Sequence, residues 1–131
     1  MSNKKYFFFK QHLMLIIFIF VMEIHFENLK LKELANDERK AIQKLGKHRA
    51  KIFYKRLESL YFANTPEDLK FLPGNFHQLK YSRLGQWACD LSHPYRLVFE
   101  VYCFPKQNNF NDGGKIADLC RVQIIEIIDY H

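Results

Sequence analysis

Residues 86–101 read Gln86-Trp87-Ala88-Cys89-Asp90-Leu91, then Ser92-His93-Pro94, then Tyr95-Arg96-Leu97-Val98-Phe99-Glu100-Val101. Apolar side chains recur at every second position, Trp87, Cys89 and Leu91 before the break and Tyr95, Leu97, Phe99 and Val101 after it. A period of two on both sides of a proline-containing turn predicts an antiparallel hairpin with one buried face. Arg96 then points away from that face, alongside Glu100, and Asp90 does the same on the partner strand.

Downstream, Pro105 to Asp118 is polar and holds Asp112-Gly113-Gly114, which predicts a long turn before a last strand, Val122 to Ile128. That strand is apolar on both faces and is therefore expected inside the sheet. Asp129 and His131 follow it on one face and Tyr130 on the other. Upstream, Met22-Glu23-Ile24-His25-Phe26 alternates like a first strand. From Leu29 the spacing becomes helical through Leu31, Leu34, Ala35, Ile42, Leu45, Phe53, Leu57, Leu60 and Tyr61. Two or three helices are expected over 29–63, broken near Asn36-Asp37 and at Gly46. Their outer faces carry Lys40, Lys44, Lys47, Arg49, Lys51, Lys55 and Arg56, expected to be mostly solvated. Thr65-Pro66-Glu67-Asp68 predicts a short helix that ends before Pro73-Gly74. A strand, then helices, then strands in succession reads as α+β with a mainly antiparallel sheet.

At 131 residues the chain has material for one core. Its formal charge is +6, but Lys4, Lys5 and Lys10 precede residue 22 and no acid does, which leaves +3 on 22–131. Such a balance admits an RNA or ribosome partner without requiring one. Lys4-Lys5 ahead of Leu13 to Met22 imitates a secretory leader, yet no small-residue cleavage site follows and the run is too short to span a bilayer. Residues 1–21 are read as an over-long start, with 22–131 as a single domain in the cytoplasm and no membrane partner. Cys89, Cys103 and Cys120, odd in number and without metal-type spacing, are read as reduced core residues.

The ionisable residues His77, Lys80, Arg83, Arg96, Asp129 and His131, with Tyr81 and Tyr130, are of the kinds that cleave RNA without a metal or cofactor. Histidine suits either proton role, because its reference pKa of about 6.5 lies near working pH. Arginine offers paired donors to a crowded phosphorane and lysine a point charge. Tyrosine stacks on a base. Plainer readings exist for each: His77 as a satisfied turn residue, Arg96 paired with Asp90 or Glu100, and Asp129-Tyr130-His131 as a polar strand end.

Leu72-Pro73-Gly74, His77-Gln78-Leu79-Lys80, Arg83, Gly85-Gln86-Trp87, Pro94 to Glu100 and Glu126 to His131 together resemble the HigB toxins, a branch of the RelE/ParE superfamily. The resemblance covers residues 22–131 and implies a RelE-like α+β fold. It further implies a type II toxin, a ribosome-dependent endoribonuclease that cuts mRNA in the decoding site of the 70S ribosome. A HigA-like helix-turn-helix antitoxin would neutralise it, with operator DNA bound only through that antitoxin. By position it implies His77 and His131 in proton transfer, Asp129 beside the imidazoles, Arg96 and Lys80 on phosphate or ribosomal RNA, and Tyr130 on a base or the backbone; with these, His77, Arg96, Asp129, Tyr130 and His131 are read as catalytic and Lys80, Arg83 and Tyr81 as RNA-binding. The sequence departs from the pattern at Tyr81, where the family's Leu-Lys-Gly carries glycine, and in the polar stretch from Pro105 to Asp118. Two alternatives share the scaffold: a ParE-like inhibitor that binds gyrase, and an inactive toxin that serves only as a co-repressor with its antitoxin.

Overall fold

The computed structural model describes residues 22–104 and 119–130, so the expectations placed on 1–21, on 105–118 and on His131 lie outside the described residues. Strand β1 (Glu23–Phe26) is followed by helices α1 (Leu29–Asn36), α2 (Glu38–Leu45) and α3 (Lys47–Phe62). A 3₁₀ helix (Pro66–Phe71) and strands β2 (His77–Gln78), β3 (Gln86–Asp90), β4 (Tyr95–Phe104) and β5 (Leu119–Asp129) come after them.

The helix boundaries follow from capping chemistry. Asn28 Oδ1 accepts from the Leu31 amide at 3.0 Å and Asp37 Oδ1 from the Lys40 amide at 3.1 Å. Each satisfies an amide that a helix start leaves without an intrahelical partner. Gly46, at φ 82°, takes the chain from α2 into α3 at the expected break. The stretch begun by Pro66 winds as 3₁₀ rather than α, and stops at Leu72 before Pro73.

The five strands lie in the order β1-β5-β4-β3-β2. β1 runs parallel to β5 and every other neighbouring pair is antiparallel. The doubly apolar β5 is thus interior, as expected, and the class is α+β. Helix side chains Phe53, Leu57 and Leu60 pack with Trp87, Cys89, Leu97, Phe99, Val122 and Ile124 on one face of the sheet. At roughly 1.5–3 kcal/mol for each large apolar side chain taken from water, this layer is the main stabilising contact of the fold. Among the described residues the opposite face has a thin apolar strip, Leu79, Ala88 and Val98 with Ile125 and Ile128.

One irregularity sets which β5 residues reach that open face. Val98 pairs with Glu126 but Phe99 pairs with Ile124, so Ile125 is an extra residue in β5. Under strict alternation Glu126 would share the face of Ile124 and enter the helix-covered core. The bulge instead places Ile124 and Ile127 on the helix side and turns Ile125 and Glu126 outward. Beyond it Ile128 lies opposite Arg96, and Asp129 lies opposite Tyr95.

Two of the basic residues expected to be solvated are connectors. Arg49 donates through Nε to Ser92 Oγ at 2.7 Å and sits 3.7 Å from the Tyr95 ring centroid. Arg56 donates through Nε to the Asp90 carbonyl at 2.7 Å. The Arg56 stem passes so close to Gly74, at φ 118°, that a β-carbon there would lie 2.5 Å from Nε. Glycine at 74 therefore satisfies both the backbone and the close approach.

The cysteine reading needs correction. Cys103 and Cys120 stand opposite each other in the β4–β5 register and form a disulfide, and Cys89 alone among the three is a free, buried thiol. Their separation of 17 residues carries no pairing signal, because the register that juxtaposes them exists only after the sheet forms. Burial raises the pKa of the Cys89 thiol, more than the nearby Arg56 lowers it, so it stays protonated. Protein purified without reductant should give no reaction with a thiol reagent when native, one equivalent when denatured, and three after reduction. Three equivalents in the unreduced, denatured protein would contradict the pairing.

Candidate active site on the open face of the sheet

The open face is assembled from alternate residues of four strands. β2 contributes His77, opposite Ala88, and β3 contributes Gln86 and Asp90. β4 contributes Arg96 and Glu100, and β5 contributes Glu126 and Ile128 with Tyr130 beyond its end. These residues are spread across the sheet, with the strand of His77 two strand spacings, about 10 Å, from that of Arg96.

His77 Nδ1 lies 2.7 Å from the Asn75 carbonyl oxygen. A carbonyl only accepts, so Nδ1 carries the proton and Nε2 is left as the basic nitrogen of the neutral ring. Asn75 is itself at φ 57°, a region asparagine tolerates, and its side-chain amide donates to Asp90 at 3.4 Å. Asp90 also meets Arg96, with Nε 3.4 Å from Oδ1. The Arg96 guanidinium lies 4.4 Å from the centroid of the Tyr130 ring. Arg96 is thus steered by a carboxylate and an aromatic face together. An exposed pair of this kind contributes about 1 kcal/mol or less to stability, so its use is orientation.

At the other end of the face, Arg83 donates through one nitrogen to Gln86 Oε1 at 2.7 Å and through another to Glu126. Gln86 in turn donates to Glu100 at 3.3 Å, and Glu100 accepts from the Tyr102 hydroxyl, an interaction that raises the Tyr102 pKa. Arg83 closes the 3₁₀ turn Tyr81–Arg83 and so ties that turn to β5. Within the turn Tyr81 sits at φ 57° and is 92% exposed. The glycine that this sequence lacks would adopt that conformation freely, whereas a bulky ring there costs about 1–2 kcal/mol.

Of the residues expected to form the site, His77, Arg96 and Tyr130 share the open face and Arg83 reaches onto it. Lys80 and Tyr81 lie exposed on the adjoining turn. Asp129, opposite Tyr95, has the other strand parity, and β3 and β4 lie between its strand and that of His77, so the two do not meet. Gln86, Asp90 and Glu126 were not singled out from sequence as site residues. A lone carboxylate in the apolar run Ile124 to Ile128 was the available signal for Glu126.

No protein-family model matches the chain, and no curated protein matches it in sequence. Solved structures do. The YoeB/ParE toxin from Agrobacterium tumefaciens superposes with a TM-score of 0.51 at 12% identity, covering 84% of this chain and 100% of that one. The YoeB-YefM complex from Staphylococcus aureus gives 0.50 at 19% identity, covering 84% and 97%. The chain shares its fold with these solved structures.

Because both side chains of the Arg83–Glu126 pair are more than a third exposed, at 35% and 39%, the pair is an orienting contact rather than a stability element. A double-mutant cycle of Arg83→Ala and Glu126→Ala, read by urea unfolding, should give a coupling of about 1 kcal/mol or less. A coupling of several kcal/mol would show that the pair carries the fold.

Proposed function

We propose that the chain is the toxin of a type II toxin–antitoxin pair, a HigB-like endoribonuclease that cuts mRNA in the decoding site of the ribosome. The observation that carries the reading is His77, whose Nδ1 is held by the Asn75 carbonyl while its basic nitrogen shares a face with Arg96 and Tyr130. His77 Nε2 takes the proton of a 2′-hydroxyl, and that oxygen bonds to the adjacent phosphorus as the bond to the 5′-oxygen breaks. Arg96 stabilises the charge gathered on the phosphorane oxygens, where a planar pair of donors outperforms a point charge. Tyr130 holds a base against the sheet. His131 returns a proton to the 5′-oxygen. The products are a 2′,3′-cyclic phosphate or 3′-phosphate and a 5′-hydroxyl end.

The electrostatics of the same face support ribosome dependence. Asp90, Glu100 and Glu126 stand among Arg83 and Arg96 on the open face, so it attracts a polyanion weakly and needs its substrate presented. In this proposal residues 22–131 are the working domain, the setting is the cytoplasm, and the partners are the ribosome and a HigA-like antitoxin that brings the complex to operator DNA. The solved YoeB-YefM complex, a toxin-fold neighbour with a partner, supports the antitoxin part.

Cleavage of mRNA by purified protein should be strong on programmed 70S ribosomes and poor on naked RNA. Arg96→Ala should stay folded, because Arg96 lies outside the core, and lose about 10²-fold or more in rate, with Arg96→Lys recovering part. His77→Ala and His131→Ala should both abolish growth arrest, while His93→Ala in the hairpin turn should be silent. Equal rates with and without ribosomes would remove the decoding-site reading. Full activity in folded Arg96→Ala would return that residue to its ion pair with Asp90, and gyrase inhibition without RNA cleavage would favour the ParE-like alternative.

A further inference from the structure

The turn between β2 and β3 keeps two large apolar side chains in solvent. Tyr81 is 92% exposed and Leu84 is 81% exposed, although Arg83 between them is fastened to Gln86 and Glu126. The backbone is pinned as well: the Arg83 amide donates to Lys80 at 3.2 Å, the Leu84 amide to Tyr81 at 3.1 Å and the Leu79 amide to Gln86 at 2.8 Å. A turn held this firmly could have released its strain with glycine at 81, yet it presents a ring in a left-handed conformation. Strain retained in an anchored, exposed segment points to a contact made by the side chain itself.

The position of the turn indicates what that contact is. It adjoins the Gln86 end of β3, whereas the Tyr130 ring, over Arg96, stands by the Asp90 end. The two exposed tyrosines therefore bracket the open face along β3, whose five residues span about 14 Å at the rise of a strand. At about 3.4 Å per stacked nucleotide this is room for no more than about four nucleotides. The exposed Lys80 precedes the ring, so an aromatic surface and a cation for the backbone occur side by side, the combination that holds single strands. Resting on the RNA-cleaving reading above, we infer that Tyr81 and Tyr130 are two base-stacking platforms that clamp a short single-stranded RNA segment across the open face, with Tyr81 a contact peculiar to this chain's substitution of the turn glycine.

The test uses the full chain and a hexamer RNA made uncleavable by 2′-O-methylation, with 5-iodouridine placed at each position in turn. Ultraviolet crosslinking, on the free protein and on programmed ribosomes, should map to Tyr81 from one position and to Tyr130 from another two or three nucleotides away. Tyr81→Phe should retain affinity for the oligomer, and Tyr81→Gly should lose about tenfold or more while its Tm stays equal or rises. Wild-type affinity in Tyr81→Gly, or crosslinks confined to Tyr130, would overturn the second platform and leave the proposed nuclease standing. Loss of antitoxin binding without loss of RNA binding in Tyr81→Gly would assign the ring to a protein contact and overturn it equally. No RNA bound by the wild-type protein in either setting would overturn the inference together with the nuclease reading.

Discussion

Burying the carboxylate of Glu126 under the helices would cost several kcal/mol, since none of the described residues of that core is charged. Glu126 nevertheless stands two residues after the fully buried Ile124, where strict alternation would send it inward. The extra residue at Ile125 resolves the conflict by advancing the phase of β5 by one. Everything beyond the bulge inherits the new phase: Ile127 joins the core, Ile128 faces out beside Arg96, and the Tyr130 ring comes to lie under the Arg96 guanidinium. The Tyr130 ring is thereby aimed at the open face rather than into the helices.

That face combines opposite demands. Its apolar strip, Leu79, Ala88, Val98, Ile125 and Ile128, is too thin to form a second core and gives the polar side chains a firm floor. Each arginine on it is steered by a carboxylate, Arg96 by Asp90 and Arg83 by Glu126. Because these pairs are part-exposed they yield readily to a phosphate, which offers a guanidinium stronger, bidentate bonds. Under the proposed function, oriented but displaceable cations suit brief binding of a charged substrate.

The architecture was legible in the sequence wherever a period reported burial on one face. The hairpin of Trp87 to Val101, the three helices with breaks at Asp37 and Gly46, and the interior position of β5 all follow from spacing and from residues with defined backbone preferences. The bulge was not read from the sequence, since Ile124-Ile125 and Ile127-Ile128 offer an apolar residue to either phase on both sides of Glu126. Neither was the Cys103–Cys120 disulfide, which depends on a cross-strand register, nor the structural use of Arg49 and Arg56, whose exposed-looking charges reach back to Ser92 and Asp90. For the site, types were legible and distances were not. His77, Arg96 and Tyr130 were recognisable by chemistry, but only the strand order shows that they span the sheet and that Asp129 has the opposite parity.

The phase change in β5 is open to direct measurement by cross-strand nuclear Overhauser effects in isotope-labelled protein. The account predicts contacts between Val98 and Glu126 and between Phe99 and Ile124, no regular pairing of Phe99 with Ile125, and Glu126 side-chain contacts with Arg83. Regular pairing of Phe99 with Ile125, or Glu126 side-chain contacts with Leu57 or Phe53 of the helical layer, would contradict it.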